Sequence, residues 1–424
     1  MVREVTPTEA VPPLVSGEEA GASQTKRIGT ALLIGSLATS LPTTAAAVVL
    51  LPHRIAEVSP DNKVALLAVL TVAGSLVGLV SNIVCGGLSD RTRSRFGART
   101  PWIIGGSVTT LIAMIPVAIF ANFVVTTLSW CLVAIAINAP MAALAAVLPD
   151  RVPVAKRATV SAMVGLGLLI GGAGGSVVGA VFVTRVGLGL MVAVSIAAVL
   201  MVSAAALINE PDNRHETPAQ NADANILRAS FTLPRNAADF YWALFGRLAL
   251  VLGYFMVNGY QLYILTDYVG LSDERAAAVV GINAIIFVVT SIVGVLAAGP
   301  ASDRLQVRKP FVIAASAVAI CAVLPPLLSD SVTAMHLFAV VGGLAFGSYF
   351  SVDAALVSEV LPDEETRARD LGIQNIANSG GQVLAPGASA GLVALGLGFG
   401  PVFFGAIAVM AVGALLVIPI KSVK

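Results

Sequence analysis

The chain predicts an all-α membrane protein, with twelve transmembrane helices in two pseudo-symmetric six-helix bundles. Three observations carry that expectation. Apolar residues make up 57% of the 424 and charged residues only 12%, against about a quarter charged in a soluble domain. The charge gathers into short clusters between apolar runs of roughly 20 residues, the length a helix needs to cross about 30 Å of hydrocarbon. The chain also repeats itself: Gly86-Gly87-Leu88-Ser89-Asp90-Arg91 returns as Gly299-Pro300-Ala301-Ser302-Asp303-Arg304, and Val147-Leu148-Pro149-Asp150 as Val360-Leu361-Pro362-Asp363, both 213 residues later. Two unrelated turn motifs holding one spacing point to a duplicated unit.

The elements follow in order. Residues 1–27 lack a basic start before an apolar core, and read as a disordered cytoplasmic tail rather than a cleaved signal. Six runs fill 28–208, at about 28–51, 64–88, 102–121, 127–148, 158–183 and 188–208. The stretch 209–240 mixes both charge signs with Pro and Asn, as a cytoplasmic linker does. Six more runs fill 241–420, at about 241–265, 276–299, 311–328, 334–361, 371–395 and 399–420, and 421–424 is a short tail. Glycines inside the runs, as at 171–175, suit spanning helices because small residues let neighbours pack closely.

Lys and Arg set the orientation. With the N-terminus inside, twenty of the 25 fall in cytoplasmic segments and four (Arg54, Lys63, Arg185, Arg275) outside, leaving Arg247 within a run. The expectation is a multi-pass protein of the cell membrane with both termini cytoplasmic. The three cysteines lie in apolar runs and read as packing residues. No ligand spacing for a metal, no phosphate cradle, no Ser nucleophile beside a base and no basic aromatic-interleaved patch for nucleic acid is present. An enzyme, and a receptor with a sizeable soluble domain, are therefore disfavoured, and no cofactor is expected.

The loop from Arg91 to Trp102 joins spans 2 and 3, and its arginines hold it in the cytoplasm while Gly97 permits a tight turn. Asp90, at the end of span 2, can pair with loop arginines or a helix N-terminus. Asp90 with Arg91, and Asp303 with Arg304, are candidate gating groups that latch the bundles in one state. The blander reading is a static topology signal. This loop and its echo at 299–310 are similar to the signature of the major facilitator superfamily. The longer wording, Ser89-Asp90-Arg91-Thr92-Arg93-Ser94-Arg95-Phe96-Gly97 then Pro101-Trp102, resembles the glycoside–pentoside–hexuronide cation symporters and the sucrose/proton symporters. Val352-Asp353-Ala354-Ala355-Leu356, Arg369-Asp370-Leu371-Gly372, Asn375-Ile376-Ala377-Asn378 and Ala385-Pro386 resemble the same group, as does Leu51-Pro52-His53.

That resemblance implies a secondary active transporter of a small polar solute, a sugar or glycoside, working by alternating access as a monomer in the lipid bilayer. One departure bears on the coupling ion. Where the sodium-using relatives carry an acidic ligand in span 2, this chain has Asn82, and span 2 has no acid before Asp90. A neutral oxygen does not supply the charge a sodium site wants, so the proton is the expected partner. The alternative is proton-antiport export of amphipathic compounds on the same fold, which a Phe- and Met-lined cavity would favour.

Ionisable groups inside spans are functional candidates by default. Asp353 lies nine residues before Pro362, roughly 13 Å into the bilayer at 1.5 Å per residue. An unpaired carboxylate there is costly to keep charged, which suits a coupling residue. The blander reading is a permanent partner. Arg247, Tyr254, Asn258 and Gln261 fall within an arc of roughly 60° on span 7, as a substrate-facing stripe. Arg247 is either part of that stripe, a group snorkelling to the interface, or the partner of Asp353. Ser36, Ser40 and Thr43 share a face of span 1, and Asn375, Asn378 and Gln382 one of span 11. Each set reads either as substrate contacts or as polar glue between helices. His53, at the outer edge of span 1, reads as a solvated interface residue, with substrate contact as the alternative that the resemblance implies.

Overall fold

The computed structural model describes residues 17–215, 237–360 and 367–420. Most of the N-terminal tail, the middle of the linker, the Pro362-Asp363 repeat and 421–424 lie outside the described residues. Twelve long helices span the described chain: α1 (Gly17–Thr44), α2 (Lys63–Arg91), α3 (Thr100–Ile119), α4 (Phe123–Arg151), α5 (Val154–Val181), α6 (Val186–Ile208), α7 (Ala238–Asn258), α8 (Asp273–Leu305), α9 (Lys309–Leu328), α10 (Val332–Val360), α11 (Arg367–Val393) and α12 (Gly400–Val417). Among the described residues there is no strand. Eleven of the twelve are long and apolar enough to cross a membrane. The exception is α11, whose sequence is diluted by Gln374, Asn375, Asn378 and Gln382.

Local chemistry sets the ends. Prolines stand in the first turns of α3, α9 and α12, where a missing N–H costs nothing. Asn122 caps α4, its Oδ1 accepting from the amides of Val124 (3.0 Å) and Val125 (3.2 Å). Asn209 and Gln306 adopt left-handed conformations that close α6 and α8. Three ends differ from the sequence expectation. α1 begins at Gly17, inside the 1–27 stretch expected to be a disordered tail. α1 continues through a π-turn, Ala45–Leu50, into Leu51–Val58, so His53 is helical. α7 breaks at Gly259 and resumes as Gln261–Tyr263 and a π-turn, Ile264–Tyr268, so the run expected over 241–265 is not one straight helix.

Packing repeats between the halves. In the first half α1 packs on α5 and α6, α4 on α2 and α3, and α3 on α6. In the second, α7 packs on α11 and α12, α10 on α8 and α9, and α9 on α12. Between the halves α5 meets α8 and α2 meets α11, again as a symmetric pair. The α1–α5 seam is close because α5 presents Gly167, Gly171 and Gly175 to the backbone oxygens of Leu33, Leu37 and Leu41, where any Cβ would collide. The outward faces stay apolar: Val80 and Val84 on α2 and Val289 and Leu296 on α8 are more than half exposed. Lipid is the solvent that such a surface fits.

The described polar contacts between the halves lie at the end away from the loop motifs. Lys63 Nζ is 2.6 Å from Asp267 Oδ1 and lies 5.0 Å from the centre of the Tyr263 ring. The Tyr263 hydroxyl donates to the Pro52 carbonyl at 2.8 Å. The Tyr260 hydroxyl sits between the carbonyls of Val64 (3.2 Å) and Pro386 (3.0 Å), donating to one at a time. His53 Nδ1 lies 3.4 Å from Asp273 Oδ2 and its Nε2 3.5 Å from Glu57 Oε1. His53 is buried, against the expectation of a solvated edge residue, because α1 runs on past it and α8 closes over it.

Candidate substrate and coupling site

The deepest charges of the second half meet one another. Asp353 on α10 is 1% exposed, and Arg247 Nη2 on α7 lies 2.7 Å from its Oδ2. The two are close enough for an ion pair without the alignment of a hydrogen bond, since Asp353 Oδ2 has no hydrogen-bond partner. Tyr349, one turn before Asp353 on the same helix, lies beside the carboxylate. The guanidinium lies 5.5 Å from the centre of the Phe350 ring. Arg247 Nη1 also reaches the backbone oxygen of Gln374 on α11 at 3.5 Å. A pair of this depth is strongly interdependent. Removing one partner of a buried ion pair costs about 3–5 kcal/mol, because the other charge is left without compensation.

The rest of the expected span 7 stripe divides. Tyr254 is packed against Phe338 (ring centres 5.4 Å apart), Phe346 (4.1 Å) and Phe287 (5.6 Å), so its ring sits in the core of the second half. Gln261 Nε2 donates to Asn258 Oδ1 at 2.8 Å across the break at Gly259. The break turns these two away from the line that a continuous helix would have drawn. In the first half Ser36 and Ser40 point their Cβ atoms at Gly167 and Gly171 on the α1–α5 seam. Thr43 Oγ1 donates to the carbonyls of its own helix, at Thr39 (3.0 Å) or Ser40 (2.9 Å). On α11 Asn378 is half-buried and Gln382 exposed, while the side chain of Asn375 lies outside the described residues. Two shallow crevices are lined by residues such as Arg54 with Asn122, and Pro42 with Thr110; neither has Asp353 in its lining.

In each loop motif an arginine meets the motif carboxylate. Asp90 pairs with Arg99, whose Nη1 also reaches Ser89 Oγ at 3.1 Å. Arg99 Nη2 bonds Asp150 Oδ2 at 2.9 Å. Burial works against the Arg99 charge, but Asp150 and Asp90 outweigh it and hold its pKa above the usual value. In the second half Arg308 bonds Asp303 Oδ1 at 2.6 Å and Ser302 Oγ at 2.9 Å. Arg99 and Arg308 are thus loop arginines that pair with the motif carboxylates. The reason is the turn at Gly97 (φ +84°), which folds the loop back so that Arg99 lies over the end of α2.

Much of the loop's wording is architectural. Ser94 Oγ donates to Gly97 O at 2.8 Å, and Trp102 Nε1 to Thr92 Oγ1 at 2.7 Å. Glu210, just past α6, accepts from the amides of Arg99 (2.8 Å) and Thr100 (2.9 Å), capping α3. Asn213 accepts from Ser94 N at 2.8 Å and donates to Thr92 O at 3.0 Å. The sequence reading missed Arg99, Asp150, Glu210, Tyr349 and Gln374. The repeated Asp150 of the Leu-Pro-Asp motif was the signal available for the first two.

Comparison with known proteins agrees with this geometry. A family model described as MFS/sugar transport protein matches residues 32–417. Among solved structures, a point mutant of the nucleoside transporter NupG superposes with a TM-score of 0.71 at 14% identity, covering 93% of this chain and 99% of that one. A bacterial homologue of the human lysosomal transporter Spinster, inward-facing and occupied, gives 0.63 at 15% identity, covering 94% of each chain. Its unoccupied form gives 0.63 at 16%, covering 93% of this chain and 95% of that one. No curated protein matches the sequence. The chain belongs to the MFS/sugar transport family. It is a multi-pass membrane transporter with the major facilitator fold, not an enzyme.

Proposed function

We propose that this protein is a secondary active transporter that moves a small polar solute, a sugar or glycoside, by alternating access coupled to the proton. The observation that carries the reading is the Arg247–Asp353 pair, two charges held 2.7 Å apart inside a membrane-spanning bundle. A protonated Asp353 no longer holds Arg247 by charge, so the two protonation states favour different helix arrangements. That differential stability is what coupling requires. The described ties between the halves sit at the end away from the loop motifs. If both termini are cytoplasmic, ties at the outer end suit an inward-facing state, in which Asp90 and Asp303 would be the groups released from a latch on the cytoplasmic side. Their carboxylates are well exposed, at 61% and 67%.

Proton rather than sodium coupling is supported by Asn82. Its Nδ2 donates to Asn138 Oδ1 at 3.1 Å, so the place where the resemblance would put an anionic cation ligand holds a neutral amide pair. Boundaries at 28–208 and 241–420 for the two bundles, with 209–240 as their linker, complete the proposal. A thermal-shift screen of purified protein, sugars and nucleosides against lipophilic cations, selects the substrate. Uptake into proteoliposomes then tests the coupling. Accumulation driven by an inward proton gradient, abolished by a protonophore and untouched when choline replaces sodium, is expected. Strict sodium dependence, or stabilisation by lipophilic cations alone, would overturn the reading.

A further inference from the structure

Gln374 is the buried polar residue that the site leaves unexplained. It lies on α11 at 1% exposure. Its Nε2 donates to the carbonyl of Phe240, in the first turn of α7, at 3.0 Å. Its Oε1 is buried with no partner, and so is the Nε of Arg247, whose Nη1 already touches the Gln374 backbone oxygen. Leaving a buried donor or acceptor unmet costs about 1–3 kcal/mol. Here one unmet donor and one unmet acceptor belong to residues already in contact, and their chemistry is complementary.

We infer that Gln374 is the second seat of the Arg247 guanidinium, a positioning residue that receives it on α11 when Asp353 on α10 becomes neutral. The inference rests on the reading of Asp353 as the proton carrier. With Asp353 charged, the ion pair at 2.7 Å holds Arg247 towards α10. The contact with Gln374 then sits at 3.5 Å, at the limit of hydrogen bonding. A proton on Asp353 removes the charge that holds the guanidinium. Arg247 itself cannot lose its proton, so it turns to the strongest acceptors left to it. Gln374 offers two, its backbone oxygen and Oε1, and the bond to Phe240 keeps its amide from swinging away. A tie between α7 and α10 is exchanged for one between α7 and α11. Because α11 packs across the halves on α2, the exchange acts on a helix at the seam that must shift. Among the described residues the ionisable groups acting on Asp353 are Arg247 from α7 and Tyr349 from its own helix.

The test is a double-mutant cycle on purified full-length protein, using Gln374→Met, Asp353→Asn and their combination. Thermal unfolding is expected to show that Gln374→Met lowers Tm at least about twice as far with Asn at 353 as with Asp, since contacts that depend on one another are non-additive. Equal losses in both backgrounds would make Gln374 a merely structural residue and overturn the inference. Gln374→Met is also expected to move the pH profile of uptake by about half a unit or more, and an unmoved profile overturns it too. If Gln374→Met does not fold, Gln374→Asn, which keeps the amide but shortens its reach, carries the same cycle. The thermal cycle needs neither substrate nor gradient, so additivity there sinks this inference alone. Uphill accumulation by Asp353→Asn sinks the coupling reading instead.

Discussion

The two halves share helix order, packing partners and turn motifs, but they place their charges differently. In the second half Arg247 and Asp353 meet deep in the bundle. At the same 213-residue offset the first half has Ile34 and Pro140. In place of an ion pair it has neutral Asn82 and Asn138 sharing a hydrogen bond at 3.1 Å. At the loop end the halves are alike in tying an arginine to the carboxylate of the repeated motif. Arg99 of the first half is clamped between Asp90 and Asp150, with Glu210 bracing its amide, and Arg308 of the second half pairs with Asp303. A duplicated scaffold has thus been specialised with few residues. We propose that the second half carries the coupling charge.

The largest effect should come from splitting the deep pair. Arg247→Gln leaves Asp353 uncompensated and should cost about 3–5 kcal/mol, seen as a collapse of thermal stability in detergent. Arg247→Gln combined with Asp353→Asn should recover most of that loss. If the single variant is as stable as wild type, the pair is not what organises the second half.

Next in size are the loop arginines. Arg99→Ala sets Asp90 and Asp150 against each other and should cost about 1–2 kcal/mol, as for a partly buried charged hydrogen bond. Arg308→Ala removes the bonds to Asp303 and Ser302 and should also destabilise the protein. No loss in chemical unfolding for either variant would show that these arginines do not hold the loops. Smaller again is Lys63→Met, which removes the contact with Asp267 at the opposite end. An exposed pair of about 0.2–1 kcal/mol should raise outer-side accessibility to a maleimide probe up to roughly fivefold. The gain should shrink in high salt. No change at low salt would show that the tie does not hold the halves.

The membrane architecture was legible because its causes are local. Run length, glycine content and charge clustering each follow from bilayer physics, and the 213-residue repeat marks the halves directly. Asp353 and Arg247 stood out for the same reason, as charges where charge is expensive. What the sequence left open was helix phase against neighbours. Gln374 and Asn375 are adjacent polar residues about 100° apart on one helix, and only packing shows that Gln374 faces α7. The four loop arginines at 91, 93, 95 and 99 look alike in a row. The left-handed turn at Gly97 decides that Arg99 meets Asp90. Tyr254 looked like part of a polar stripe because it carries a hydroxyl, but its ring found Phe338 and Phe346.

The most direct measurement is transport by Asp353→Asn in proteoliposomes, with net accumulation and substrate exchange followed in the same preparation. Loss of proton-driven accumulation by at least about tenfold, with exchange retained, is the expected result. Full accumulation against a gradient by the Asn variant would contradict the account, because the charge at 353 would then play no part in coupling.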